Sequence, residues 1–248
     1  MEDRKKIRLQ VENRVVHIIL DNPPDNRMDM IFFRQLDEAV KSIRERDDIG
    51  AAVIYGSKRH FSAGAELEDI KHSLLEPLKA GLDKEDEVKK ENWKNVNIFM
   101  EIEAFHFPVI AAVGGFCAGS GMELAMSCDL IFCSRDAIFS QPEITWGLIT
   151  GCSGSVRLKS LIAVPKAREL LLRGNMINAW EAYQTGIANR LLERGRVVDA
   201  AVEVAEKLAE ESKYQMNLHI KKEVLQMYSK RCRENGIHCG QGVLNGND

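Results

Sequence analysis

The chain has 248 residues, of which 45% are hydrophobic and 29% charged, so it can form one large domain with a buried core. Its formal net charge of -3 argues against proteins that bind nucleic acids or membrane surfaces, because both classes usually carry a clear basic excess. The charged start lacks a signal-peptide pattern and no apolar run reaches the roughly 18 residues of a membrane span, so a cytoplasmic protein without membrane contact is predicted.

The N-terminal half predicts strands and helices in alternation. Residues 7–20 form two alternating apolar and polar segments, which predict a hairpin, and apolar residues at helical spacing predict a helix from about Met30 to Arg46. Short apolar runs at 51–56 and 107–115 predict buried strands. The charged segment 71–97 is interpreted as a solvated helix or a mobile excursion over a site.

The second half predicts further loops, strands and helices. A Gly-rich turn at 114–121 leads into a helix and a strand, and 138–154 predicts a strand, a turn at Pro142 and a second Gly-rich loop. From Pro165 onward the pattern is helical, with helices predicted at 166–172, 179–185, 197–211 and about 214–231. Alternation followed by helices alone indicates an α/β core with a C-terminal helical appendage.

The six cysteines include no CxxC pair. Four lie in apolar or Gly-rich stretches, where a free cysteine behaves as a small hydrophobic residue: Cys117, Cys128, Cys133 and Cys152. Cys232, His238 and Cys239 could suggest a metal site, but a fourth ligand at the usual spacing is missing. The sequence therefore predicts no bound metal.

Common nucleotide and hydrolase motifs are absent. The turn at 119–124 has leucine where the third glycine of a dinucleotide fingerprint belongs, and there is no P-loop. Ser120 does not lie in a GxSxG nucleophile elbow, because position 118 is alanine. These absences disfavour a dinucleotide-binding enzyme and a serine hydrolase.

Two Gly-rich loops share one design, in which a buried strand ends, glycine permits an unusual backbone path and a helix begins. They are His60–Leu67 and Gly114–Gly121. N–H groups at helix starts are unpaired donors in a favourable dipole, and two of them aimed at one point could stabilise a developing oxyanion. The spacing is also compatible with glycines that serve only tight turns and close packing.

Two glutamates accompany these loops. Glu123 shares the otherwise apolar stretch 116–134 with a single other charge, Asp129, which is interpreted as a capping or turn residue. Glu143 follows Pro142 and precedes the Gly-rich loop at 147–154. Either glutamate could be an exposed residue that stabilises a helix N-terminus, or a carboxyl used in acid/base chemistry. The combination of two carboxyls with two donor loops favours the second interpretation.

At these residues the sequence resembles the crotonase, or enoyl-CoA hydratase/isomerase, superfamily. The resemblance covers roughly Ile7 to Met227, and its motifs are NPPDN (22–26), FSAGAEL (61–67), PVIAAVGGFCAGSGMELAMSCD (108–129) and FSQPEITWGLITGCSG (139–154). It implies an α/β fold, a crotonase-like spiral of repeated ββα units with a C-terminal helical trimerisation region. Residues 1–190 would form the spiral core with the site for the coenzyme A thioester, and residues 191–248 the helices of a homotrimer or hexamer.

The resemblance also implies roles for individual residues. The N–H groups of Ala65 and Ser120 would form the oxyanion hole, and Gly151 would help to hold the catalytic water. The carbonyl of Ala63 would face the adenine amino group of coenzyme A. Lys222 is a candidate contact for its phosphates or pantetheine, and the alternative is an exposed lysine that only contacts solvent. Coenzyme A is then part of the substrate, and no separate cofactor is implied.

The implied reaction is hydration of an enoyl-CoA, as in fatty acid metabolism, with Glu123 deprotonating water and Glu143 delivering a proton to the α-carbon. Met28 and Trp146 are candidates for the acyl pocket, although core packing is the favoured interpretation of Trp146. Thr150 departs from the family, where proline often precedes the glycine of this loop.

Two kinds of rival function are considered. Double-bond isomerisation, or hydration of a cyclic dienoyl-CoA, could use the same oxyanion hole, but isomerisation can proceed with one carboxylate, so the presence of both favours hydration. Some superfamily members bind RNA through a basic helix. In this chain the lysines of 71–97 are interleaved with about as many acids, so no nucleic-acid partner is expected.

Overall fold

The computed structural model describes residues 4–70, 97–210, 219–221 and 223. The strands within these ranges are β1 Ile7–Glu12, β2 Val15–Leu20, β3 Ala51–Gly56, β4 Val109–Val113, β5 Phe116–Ala118, β6 Leu130–Ser134, β7 Ile138–Ser140, β8 Ile177–Asn178 and β9 Arg190–Leu192. The α-helices are α1 Met30–Ile43, α2 Leu67–Ile70, α3 at 97–103, α4 Ser120–Met126, α5 Gly154–Leu161, α6 Val164–Arg173, α7 Ala179–Thr185 and α8 Val197–Ala209. A 3₁₀ helix spans Glu143–Trp146.

The larger sheet has six strands in the order β1-β2-β3-β4-β6-β9. β1 and β2 pair antiparallel, with Ile7 opposite Leu20, which confirms the predicted hairpin. Asn13 and Arg14 form its turn, both with positive φ angles of 49° and 64°. The remaining pairs in this sheet are parallel, so each connection must return from the end of one strand to the start of the next.

The smaller sheet has three strands in the order β5-β7-β8. β5 follows β4 closely and β7 follows β6, so successive turns of the chain place one strand in each sheet. The segment that follows β3 also reaches the smaller sheet, because Ser62 forms an isolated parallel bridge with Cys117 of β5. This arrangement of paired strands and intervening helices is the predicted spiral.

Both faces of the larger sheet are covered, as a largely parallel sheet requires. The main core lies on the face that carries α1. The Asp29 side chain caps the N-terminus of this helix by accepting a hydrogen bond from Phe32 N at 2.8 Å. α8 covers the opposite face, where Ala201 and Ala205 are fully buried. At the end of α8 the packing is tight, because a Cβ on Gly50 would lie 2.8 Å from the Ala209 Cβ.

The prediction that the chain is wholly helical after Pro165 is wrong in part. The helices α6, α7 and α8 are present, but the short strands β8 and β9 lie before and after α7. β8 pairs with β7, and β9 forms one edge of the larger sheet. The predicted helix at about 214–231 lies mostly outside the described residues, but residues 219–221 and 223, which the structure describes, are helical. Nearly all of 71–97 also lies outside the described residues. The division into residues 1–190 and 191–248, and the trimer contacts assigned to the second part, stay predictions.

Candidate active site

Asn26, from the NPPDN motif, fixes the first Gly-rich loop. Its buried side-chain amide donates to the carbonyl oxygens of His60 at 2.8 Å and Phe61 at 3.1 Å. The Ser62 hydroxyl donates to the Asn26 carbonyl at 2.7 Å and accepts from Gly64 N at 3.1 Å. These bonds hold the backbone that leads to Ala65.

The two Gly-rich loops pack directly on each other. Ala118 N donates to Ser62 O at 3.0 Å. A Cβ on Gly64 would lie 2.7 Å from Ala118 O, and a Cβ on Gly121 would lie 2.6 Å from Ser62 O, so neither position has room for a larger residue. Gly64 and Gly119 also have positive φ angles of 95° and 51°. Close packing is therefore one role of these glycines.

Ala65 directly follows Gly64, and Ser120 directly follows Gly119. Among the residues described, neither N–H group forms a hydrogen bond. The neighbours of Ala65 form the bonds to Met28, from Met28 N to Gly64 O and from Glu66 N to Met28 O. Ser120 is the first residue of α4, where N–H groups have no intrahelical acceptor. Two donors that have no partner within the described ranges therefore lie at the contact between the loops.

Glu123 lies on α4 and is fully buried. Its Oε1 accepts from Cys152 N at 2.8 Å and from Gly154 N at 2.7 Å. Its Oε2 is buried, and no group within the described ranges hydrogen-bonds to it. This burial excludes the alternative in which Glu123 only decorates an exposed helix end.

Glu143 lies at the start of the 3₁₀ helix, close to the N-terminus of α4. Its Oε1 is 3.2 Å from the point where a Cβ on Gly119 would stand, directly before Ser120. Its Oε2 is buried, again with no hydrogen-bond partner within the described part of the chain. The two carboxyl groups are thus brought together beside the donor loops.

The electrostatics of this pair suit proton transfer near neutral pH. Burial raises the pKa of Glu123 to about 7, and repulsion from the Glu143 carboxylate acts in the same direction. The N–H groups of Gly154 and Cys152 and the Arg157 guanidinium oppose this rise in the Glu123 pKa. Burial also raises the pKa of Glu143. Both carboxyls can therefore change protonation state closer to neutral pH than exposed glutamates do.

The raised Glu123 pKa makes the unfolding free energy depend on pH. The folded chain holds this proton more tightly than the unfolded chain, so the group's stabilisation is fully present below pH 4.5 and is lost as pH rises through about 7. The loss should amount to about 2–4 kcal/mol. Urea unfolding across this range should therefore show a steeper pH dependence for the unmodified chain than for Glu123→Gln; equal slopes would contradict the assigned shift.

The segment that holds Glu123 is the Gly-rich loop at 147–154, and sequence patterns do not single out its donors Cys152 and Gly154. They act through backbone N–H groups, so their side chains give no sign of the role. Between them Ser153 adopts φ 66°, a conformation uncommon for a residue other than glycine. Thr150, which stands where the family often has proline, accepts from Ser155 N at 3.0 Å through its hydroxyl and so fastens the loop.

Gln141 is a further polar residue of this region that sequence reasoning missed. It is buried, and its Nε2 donates to Gly119 O at 3.3 Å. Its Oε1 and the Glu123 Oε1 each lie 2.8 Å from the point where a Cβ on Gly154 would stand. The amide therefore borders both the donor loop and the buried carboxyl.

The remaining predicted site residues fall as follows. Ala63 lies in the first loop, and Met28 is buried beside Ala65, to which it is bridged. Gly151 is exposed, with open space where a Cβ would stand. The favoured interpretation of Trp146 as a core residue is wrong, because its exposed fraction is 54% and it lies on the 3₁₀ helix. Lys222 lies outside the described residues.

Two other predictions concern metals and membranes. Within the described ranges no group of three or more His, Cys, Asp or Glu side chains is placed to hold a metal ion. The candidate cluster of Cys232, His238 and Cys239 lies outside those ranges. None of the described helices has the length and apolar character needed to cross a bilayer.

Comparison with known proteins identifies the family. The family model described as enoyl-CoA hydratase/isomerase matches residues 10–245. The chain belongs to the enoyl-CoA hydratase/isomerase family. Among its relatives in this family, the probable enoyl-CoA hydratase of Rhizobium meliloti (strain 1021) is 36% identical over 205 residues, covering 81% of this chain and 74% of that protein. The probable mitochondrial enoyl-CoA hydratase of Dictyostelium discoideum is 32% identical over 91% of this chain and 77% of that protein.

Solved structures agree with this membership of the enoyl-CoA hydratase/isomerase family. The crystal structure of an enoyl-CoA hydratase from Bacillus anthracis superposes with a TM-score of 0.78 at 25% identity, covering 98% of this chain and 94% of that one. Pseudomonas aeruginosa DspI superposes with a TM-score of 0.82 at 24% identity, covering 95% of this chain and 92% of that one. The second likeness shows the fold alone, and the fold is that of the crotonase superfamily.

Proposed function

We propose that the protein is an enoyl-CoA hydratase, which adds water across the 2,3 double bond of an enoyl-CoA thioester. The observation that carries the proposal is a pair of carboxyls, the buried Glu123 and the half-buried Glu143, whose Oε2 atoms are both buried. Beside them lie two backbone N–H groups that have no hydrogen-bond partner among the described residues. Relatives named enoyl-CoA hydratase at 28–36% identity support the same reaction class.

The first step is polarisation of the thioester carbonyl. In the proposal, the N–H groups of Ala65 and Ser120 donate to the thioester oxygen and draw electron density from the conjugated double bond. The β-carbon becomes electrophilic as negative charge develops on that oxygen. One such donor is worth about 2.7–4 kcal/mol of transition-state stabilisation in enzymes that use oxyanion holes. Backbone donors tolerate serine at position 120, because the side chain takes no part.

The second step is addition of water, with the two carboxyls in different roles. Glu123 starts ionised and takes a proton from the water while the water oxygen bonds to the β-carbon. Glu143 starts protonated and delivers its proton to the α-carbon. A pKa of about 7 for Glu123 suits a group that accepts and returns a proton near neutral pH. The Oε2 atoms of Glu123 and Glu143 carry the proposed contacts to water, since Oε1 of Glu123 is already engaged with Cys152 N and Gly154 N.

The remaining residues hold the substrate in this proposal. The Ala63 carbonyl accepts from the adenine amino group, Gly151 helps to position the water, and Lys222 contacts the phosphates or pantetheine of coenzyme A. Met28, buried next to Ala65, and Trp146 line the acyl pocket. Coenzyme A enters as part of the substrate, so the proposed reaction needs no separate cofactor. A homotrimer or hexamer in the cytoplasm completes the proposal.

A panel of short, long, branched and alicyclic enoyl-CoAs, with crotonyl-CoA as the first member, tests the function. Hydration removes the conjugated thioester, so its ultraviolet absorbance should fall with time, and the 3-hydroxyacyl product should be detectable. Migration of the double bond without uptake of water would support the isomerase alternative instead. Failure of every member of the panel to turn over would overturn the proposal.

A further inference from the structure

The buried cation Arg157, which the proposed reaction does not use directly, lies behind the loop that holds Glu123. It lies on α5, and 4% of its surface is exposed. Its Nε donates to Glu103 Oε1 at 2.6 Å, and its Nη1 donates to the carbonyl oxygen of Cys152. A buried guanidinium is costly unless it is paired and hydrogen-bonded, so these two contacts stabilise Arg157 in one position.

Cys152 is held from both sides. Its N–H donates to Glu123 Oε1 at 2.8 Å, while its carbonyl accepts from Arg157. Two residues further on, Gly154 N supplies the second bond to the same oxygen at 2.7 Å. The orientation of both donors therefore depends on the path of the backbone through Ser153.

That path is unfavourable without support. Ser153 has φ 66°, in the left-handed region that strains a residue with a side chain. Ser153 O accepts from Val156 N and Arg157 N at 3.1 Å each, which fixes the downstream side of the turn. The Arg157 side chain fixes the upstream side at Cys152 O.

We infer that Arg157 is a positioning residue for the reaction: it holds the Cys152 carbonyl so that the Cys152 and Gly154 N–H groups stay aimed at Glu123, and Glu103 holds Arg157 in turn. The inference rests on the proposed function only for its effect on turnover. It extends the active site to the last residue of α3, through a chain of contacts from Glu103 to Glu123.

The charge of Arg157 also acts on Glu123, because it opposes the rise that burial causes in the pKa of that carboxyl. Three titratable groups face Glu123: the Glu143 carboxyl, the Arg157 guanidinium and the Cys152 thiol. Burial raises the pKa of the Cys152 thiol, so the thiol stays neutral. The negative charge of Glu103 lies on the far side of Arg157. Removing Arg157 should therefore raise the Glu123 pKa, whereas removing the charge of Glu103 should not.

The experiment uses the full chain with Arg157→Gln, Arg157→Lys and Glu103→Gln. For Arg157→Gln, kcat with crotonyl-CoA should fall about 10- to 100-fold with little change in KM, and the ascending limb of kcat against pH should move to higher pH. Arg157→Lys keeps the charge and should keep the position of the limb. Glu103→Gln should lower kcat without moving the limb to higher pH. A general loosening of the fold would not produce this difference between the pH profiles of Arg157→Gln and Glu103→Gln.

Arg173→Gln is the matched control, because Arg173 is an exposed arginine that pairs with Glu169 at 3.0 Å on α6. Thermal unfolding and binding of butyryl-CoA report whether each variant is folded. Infrared difference spectra of the protonated Glu123 carboxyl, assigned with Glu123→Gln, follow its titration without any turnover. An unshifted carboxyl titration in folded Arg157→Gln would overturn the inference, whereas an inactive unmodified chain with a shifted titration would overturn only the proposed function.

Discussion

Glu123→Gln should lower kcat for hydration of crotonyl-CoA by about 100- to 10,000-fold, the range of a general acid–base group. Glutamine is nearly the same size, and its Oε1 can still accept from Cys152 N and Gly154 N, so the loop should stay in place. The amide cannot take a proton from water. KM should change little, because the donors at Ala65 and Ser120 are backbone groups. The loss of conjugated thioester absorbance measures both constants.

Two companion variants sharpen this test. Glu143→Gln should also lower kcat strongly, because it removes the second carboxyl of the pair. Glu45→Gln is the matched control, since the Glu45 side chain is 81% exposed and its pairing with Arg44 lies at the surface. If hydration survives the loss of either Glu123 or Glu143 nearly intact, the mechanism with two glutamates is wrong.

Gly154→Ala should reduce hydration by about 100-fold or more, because it displaces the reacting carboxyl. A Cβ at this position would lie 2.8 Å from the Glu123 Oε1, 2.9 Å from its Cγ and 2.8 Å from the Gln141 Oε1. All three atoms belong to buried side chains, so a shift in one disturbs the others. The unfolding free energy should also fall by about 1–3 kcal/mol, as is usual when a packed site is overfilled.

The adjacent variant Ser155→Ala is the control for Gly154→Ala. Ser155 is exposed, and its bond to the Thr150 hydroxyl is made by its backbone N–H, which alanine retains. Activity and urea unfolding should therefore remain close to those of the unmodified chain. A Gly154→Ala protein with unchanged kcat would show that hydration does not depend on the position of the Glu123 carboxyl between Cys152 N and Gly154 N.

Some of this architecture can be predicted from sequence because its causes are local. The hairpin at 7–20 follows from alternation, and α1 begins at Met30 as predicted because Asp29 caps it. Its end differs from the predicted Arg46, since the helix stops at Ile43. Strands of two or three residues, such as β8 and β9, are too short to show a period, so only their pairing reveals them.

The site could be predicted in part. Glu123 can be predicted because a charge in an apolar stretch is conspicuous, and Glu143 because it lies between a strand and a Gly-rich loop. Their separate roles are implied only by the resemblance to a family. The backbone donors at Cys152 and Gly154 have no side-chain signal, and the positive φ of Ser153 is invisible in its identity. The sequence pattern does not single out Arg157, and its role depends on contacts with Glu103 and Cys152 that the pattern does not show.

Glu123 has two oxygens with different duties, since Oε1 is held by two N–H groups and only Oε2 is left to handle a proton. A carboxyl held in this way cannot turn, so it meets a planar enoyl group from one side. In the proposed reaction the hydroxyl should therefore join one face of the β-carbon, giving a 3-hydroxyacyl product of a single handedness. The chirality of that product would then be set by the peptide backbone at Cys152 and Gly154.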